Sequence, residues 1–100
     1  MKMSKTIRKL NDKLLGELKK LNDQLAEELP GFVELDHTVK FDLFPGSLLV
    51  NCYFESQDAL DKNMKNEKVF QKKLQKLLLK QGIVLKDAKM NLKFIRKAEV

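Results

Sequence analysis

The stretch that decides the fold is Val33-Glu-Leu-Asp-His-Thr-Val-Lys-Phe-Asp-Leu-Phe-Pro-Gly-Ser-Leu-Leu-Val-Asn-Cys-Tyr-Phe-Glu55. Its first arm alternates: Val33, Leu35, Val39, Phe41 and Leu43 fall at odd positions, with Glu34, Asp36, Thr38, Lys40 and Asp42 between them. A period of two is the pattern of a strand with one face buried. The second arm sets Leu48, Val50, Cys52 and Phe54 on one side. Pro45-Gly46 is turn chemistry, so residues 33–55 read as a β-hairpin with a four-residue loop, Phe44 to Ser47. Centred there, Leu43 is expected opposite Leu48, Phe41 opposite Val50 and Val39 opposite Cys52. All the apolar side chains then share a face, which a one-residue slip would destroy.

Working outward, residues 4–29 read as one long helix, capped by Ser4 and ended by Pro30-Gly31. Ile7, Leu10, Leu14, Leu18, Leu21, Leu25 and Leu29 repeat every eleven residues in three turns, the period of a nearly straight helix. Such a helix is about 39 Å long at 1.5 Å per residue. It should overhang a short sheet, leaving Ile7 and Leu10 in need of a partner, and a second copy of the chain is one candidate. Residues 57–80 read as a helical region capped by Ser56. Its apolar positions fall out of period between Met64 and Phe70, which predicts a short helix near 57–62 and a second near 67–80. Gly82 is placed to end the second helix in the left-handed conformation. A last strand is expected over 88–95, with Met90, Leu92 and Phe94 facing inward.

The order is thus α-β-β-α-β, an α+β fold with a three-stranded sheet and its helices on one face, occupying residues 1–100 as a single domain. The third strand fits beside either arm of the hairpin. The other sheet face is expected to carry Lys40, Leu49, Asn51, Tyr53, Lys89 and Lys93.

Charge narrows the function classes. Residues 1–50 hold eight basic and eight acidic side chains, residues 51–100 twelve and six, so the net charge of +6 resides in the second half. A basic half attracts polyanions. Cys52 stands alone, which fits a reducing cytoplasmic setting. Met1 to Arg8 carry charge rather than an apolar run, so neither a signal peptide nor a membrane span is expected.

The sequence offers no constellation for catalysis. His37 is the single histidine, so His and Cys cannot assemble a zinc set. No glycine-rich loop joins a strand to a helix. Asp58 and Asp61 stand where acids complement a helix dipole. Neither an enzyme, a metal nor a cofactor is therefore expected. Two surfaces suit binding. Lys65, Lys68, Lys72, Lys76 and Lys80 form a ridge along the last helix, although any solvated amphipathic face has that spacing. Tyr53 with Lys40, Lys89 and Lys93 makes a second, aromatic and basic platform of the kind on which bases stack. DNA or RNA is one partner class for these surfaces; a protein partner, including a homodimer through the first helix, is the other.

Lys40 to Phe54, Ala59-Leu60 and Gly82-Ile-Val-Leu-Lys-Asp87 resemble a family of small, uncharacterised proteobacterial proteins, sometimes labelled transcriptional regulators. The resemblance covers most of the chain and brings no activity with it. The chain has no helix-turn-helix to match that label. Element order is more loosely similar to the folded domain of the bacterial helicase loader DciA and to KH-like modules, a resemblance of fold that implies no site. The Gly-x-x-Gly of KH modules is absent; Lys62-Asn-Met-Lys-Asn66 stands there.

Overall fold

A computed structural model describes residues 5–97. Helix α1 (Lys5–Glu28) is followed by strand β1 (Phe32–Thr38), strand β2 (Leu49–Phe54), helix α2 (Gln57–Asn63), helix α3 (Glu67–Leu79) and strand β3 (Leu92–Arg96). Three short 3₁₀ turns lie between them, at Phe41–Leu43, Met64–Asn66 and Ala88–Met90. This is the expected α+β architecture. The sheet order is β1-β2-β3, with β1 antiparallel and β3 parallel to the central β2. The parallel pairing answers the question the sequence left open, since β3 joins the second arm of the hairpin.

The apolar stripe of α1 does what its period requires. Leu14, Leu18, Leu21, Leu25 and Leu29 are buried, and Leu10 packs against the same core. The expected overhang is therefore shorter than its length suggested, because Leu10 finds its partners within the chain. The Ser4 cap lies outside the described residues. Helices α1 and α3 run antiparallel: Glu28 pairs with Lys73 at 3.1 Å near one end, and Gln81 Nε2 donates to Glu17 Oε1 at 2.9 Å near the other. Both cover the sheet face formed by Val50, Cys52, Phe54, Leu92 and Phe94. Phe54 is the centre of an aromatic chain, 6.0 Å from Phe32 and 5.0 Å from Phe94, which in turn lies 6.1 Å from Phe70.

The termini of α2 and α3 follow the expected chemistry. Ser56 Oγ accepts the N–H of Ala59 at 3.1 Å. Gly82, at φ +79°, lets Ile83 N–H reach back to the carbonyl of Leu78 while its own N–H reaches Leu79, and Ile83 is buried on the last turn.

The hairpin departs from expectation. Leu35 pairs with Cys52, Asp36 with Asn51 and His37 with Val50. The register is shifted by four residues, and the connection runs from Val39 to Leu48 instead of four residues. The polar groups of this connection are satisfied locally. Leu43 N–H bonds to Lys40, Ser47 N–H to Leu43 and Leu48 N–H to Pro45, while Ser47 Oγ accepts from Lys40 N–H and donates to the Lys40 carbonyl. Phe41 and Phe44 stack on each other, ring centres 5.7 Å apart, and Leu43 turns into solvent. Turn hydrogen bonds and an aromatic pair thus outweigh the alternation of residues 39–43. The shift is even in number, so it preserves which residues point inward.

Three smaller corrections follow from the same geometry. A bulge between Phe32 and Glu34 puts Phe32 inside and Val33 out, reversing the expected placement of Val33. His37 faces Val50 instead of Phe54. The expected strand at 88–95 begins only at Leu92, because Asp87 Oδ1 accepts Lys89 N–H and starts a 3₁₀ turn. Met90 is thereby thrown outward and Asn91 inward.

Candidate nucleic-acid interface

The second half of the chain concentrates its lysines where α3 meets the segment before β3. Helix α3 is amphipathic: Phe70, Leu74 and Leu78 face the core, while Lys68, Lys72 and Lys76 are exposed. Two glutamines on the border of its buried face grip the neighbouring chain. Gln71 Nε2 donates to the carbonyl of Leu92 and Gln75 Nε2 to that of Leu85, both at 3.0 Å. These bonds pin the 85–92 segment against the helix. A groove of about 360 Å³ results, lined by Lys68, Gln71, Lys72, Gln75, Lys86, Asp87, Ala88 and Lys89.

The charges in this groove are largely unopposed. Asp87 is the one acid in its lining, and Asp87 Oδ1 caps the Lys89 turn. Glu67, at the start of α3, turns toward the sheet, where its Oε2 accepts the N–H of Phe94 at 3.0 Å. Ion pairs form elsewhere: Lys62 with Asp58, Lys73 with Glu28, Lys97 with Glu34 and Lys20 with Glu17. Among the described residues, Lys65, Lys68, Lys72, Lys76, Lys86 and Lys89 have no carboxylate within salt-bridge distance.

The residues expected to bind are thus divided. Lys68, Lys72 and Lys89 meet in one groove. Lys76 and Lys80 continue the ridge beyond it, and Lys65 lies in the turn before α3, on a separate hollow beside α2. Lys40 sits in the β1–β2 connection and Lys89 in a turn, so neither stands on the sheet. Tyr53 and Lys93 do occupy the open sheet face, but Tyr53 has acidic neighbours. It faces Glu34 across the β1 pairing, and its hydroxyl donates to Asp36 Oδ2 at 2.8 Å. Asn51 Nδ2 donates to the other oxygen of Asp36 at 3.1 Å. The hydrogen bond to Asp36 is the main cause that raises the Tyr53 pKa, followed by desolvation and the charges of Asp36 and Glu34. Two carboxylates beside the ring repel phosphate, which sets this face apart from the lysine groove.

Comparison with family models, curated proteins and solved structures finds no match to this chain. The site therefore rests on its own chemistry. No group of three or more His, Cys, Asp or Glu side chains among the described residues could hold a metal ion. No helix among them is long and apolar enough to cross a membrane. Burial pushes the Cys52 thiol up to about 12, helped by the charges of Glu67 and Asp36, which keeps it protonated and unsuited to nucleophilic work.

Sequence reasoning missed Lys86. A signal was present: Lys86-Asp87-Ala88-Lys89 joins two lysines to a turn-forming aspartate immediately before a basic strand. Lys86 before the turn and Lys89 within it belong to one small loop, and such a loop against a basic helix makes a groove in place of a ridge.

Proposed function

We propose that the chain is a non-enzymatic binding module that associates with nucleic acid through the groove between α3 and the 86–89 turn. The observation that carries this reading is the convergence of Lys68 and Lys72 with Lys86 and Lys89 from a separate element, held by Gln71 and Gln75. Lysines act on phosphate as point charges on flexible stems, so they supply affinity and positioning without reading sequence. A solvated helix face alone would not require a second set of lysines opposite the first.

Salt titration of DNA and RNA binding tests the reading. If the four lysines each neutralise a phosphate, the slope of log affinity against log salt is roughly −3 for a single strand and somewhat steeper for a duplex. The double variant Lys68→Glu with Lys72→Glu should abolish binding at moderate salt while preserving the helical circular dichroism. Absence of binding at low salt, or binding indifferent to salt, refutes the proposal.

The alternative is a protein-interaction module pairing through α1. Its support is reduced by the packing of Leu10 against the core, although Leu15 on the same helix remains exposed. Sedimentation at high protein concentration distinguishes the two: a concentration-dependent mass, lowered by Leu15→Glu, favours pairing through α1.

A further inference from the structure

The lysine groove adjoins a second compartment of opposite character. The Phe44–Pro45–Gly46 turn and the segment from Val84 to Asn91 enclose about 440 Å³. Phe44, Val84 and Met90 line it, and Val84 and Met90 are 62% and 65% exposed. Large apolar side chains gathered around a hollow mark a surface that takes a partner group. Lys86 and Asp87 line both this hollow and the lysine groove, so the two share one wall. The hollow is built, not fluid: buried Asn91 donates from Nδ2 to the carbonyls of Leu48 at 2.7 Å and Pro45 at 3.2 Å, tying the turn to the start of β3.

The geometry points to a single strand of nucleic acid as the occupant, its phosphates along Lys68, Lys72 and Lys89 and an unstacked base in the hollow beside Phe44 and Met90. This inference rests on the proposed nucleic-acid binding and specifies its form. A duplex offers the groove its phosphates but keeps its base faces stacked inside, so it gains nothing from an adjoining apolar hollow. A single strand presents charge and a flat apolar face on neighbouring atoms, and both compartments are then used. An acidic, apolar peptide has similar chemistry, but an extended peptide gains its main-chain hydrogen bonds by adding a strand to an open sheet edge. Here the outer edge of β3 is partly taken by side chains of α3: Glu67 takes the N–H of Phe94 and Gln71 the carbonyl of Leu92, which hinders an added strand. Nucleic acid needs no such ladder. The lysines also recur at one helical turn, about 6 Å apart along α3, which suits a polymer whose charge repeats regularly.

The experiment compares oligothymidine, an abasic strand of the same length and a duplex of the same length, by fluorescence anisotropy at low salt with the full chain. Oligothymidine should bind about tenfold or more tightly than the abasic strand, the worth of one stacked base. The exposed double substitution Val84→Ser with Met90→Ser should remove that difference and leave abasic binding unchanged. Equal binding of all three probes overturns the base hollow but leaves the salt-dependent lysine groove standing. Failure of every probe to bind overturns both. An alternating Glu-Leu peptide that binds the wild type more tightly than oligothymidine does assigns the hollow to a protein partner, and the inference falls.

Discussion

Glu67 Oε2 accepts the N–H of Phe94 at 3.0 Å, so the acid that opens α3 is spent on the outer edge of β3. Two consequences meet in this bond. It leaves the exposed lysines of α3 without a carboxylate partner, and it closes part of an edge that would otherwise recruit another strand. Replacing Glu67 by Leu should cost about 1.5–3 kcal/mol, the range for a hydrogen bond to a charged group. Glu67→Gln keeps an acceptor and should cost less. Urea unfolding of the two variants checks the order, and light scattering should find Glu67→Leu the more prone to associate.

Gly31 is fixed by two independent constraints. Its φ is +84°, and a Cβ placed on it would stand 2.6 Å from the Cβ of Ala59. The turn from α1 into β1 therefore packs directly on α2. Gly31→Ala should lose roughly 1–2 kcal/mol to the left-handed backbone alone, with the clash added to that. By contrast, Gly16 lies in α1 with open space around it, and Gly16→Ala should stabilise by about 1 kcal/mol. Thermal melts of the two variants should shift in opposite directions.

What the sequence made legible divides along physical lines. The helices were readable because each carries its own period and its own stops: the leucine stripe of α1, Ser56 before α2, Gly82 after α3. The facing of Val50, Cys52, Leu92 and Phe94 was readable for the same reason. Register was not, because pairing Leu35 or Val39 with Cys52 buries the same inward face, and an even shift leaves the alternation intact. The choice lay with Ser47, which bonds both backbone groups of Lys40, and with the Phe41–Phe44 stack. Neither has a period to detect. At the candidate site, the ridge of lysines was visible as spacing. The groove was not, since it needs Lys86 and Lys89 brought against α3 by Gln71 and Gln75, whose partners are carbonyls of residues remote in sequence.

Asn91 links that concealed geometry to stability. It is 3% exposed, and its amide serves the carbonyls of Leu48 and Pro45 from the start of β3. Asn91→Leu leaves those acceptors without the donor and places a larger apolar group in the same space. A loss of about 2–3 kcal/mol is expected, since a buried and a part-buried bond are broken together. Asn91→Asp is the sharper test: a carboxylate would face two carbonyl oxygens, so its destabilisation should grow as pH rises through the carboxylate range. Urea midpoints at acid and neutral pH read this directly.

Cys52 supplies the last prediction. It is fully buried on the central strand, and burial moves its thiol from the ordinary 9.0 up to about 12. The folded form thus holds its proton more tightly than the unfolded form. Below pH 9 both forms are protonated and the thiol imposes no penalty on folding. Between pH 9 and pH 12 the unfolded chain releases the proton first, so stability falls as pH rises through that window. The neighbouring Tyr53, also raised, adds a decline of the same sign. Comparing the wild type with Cys52→Ala, both in a Tyr53→Phe background, isolates the thiol: the Ala variant should lose stability less steeply above pH 9. The same burial predicts that a thiol reagent at mildly alkaline pH leaves the folded protein unmodified and reacts at the rate of unfolding once denaturant is added. Prompt labelling of the native protein would place Cys52 at the surface and contradict the inward face of β2.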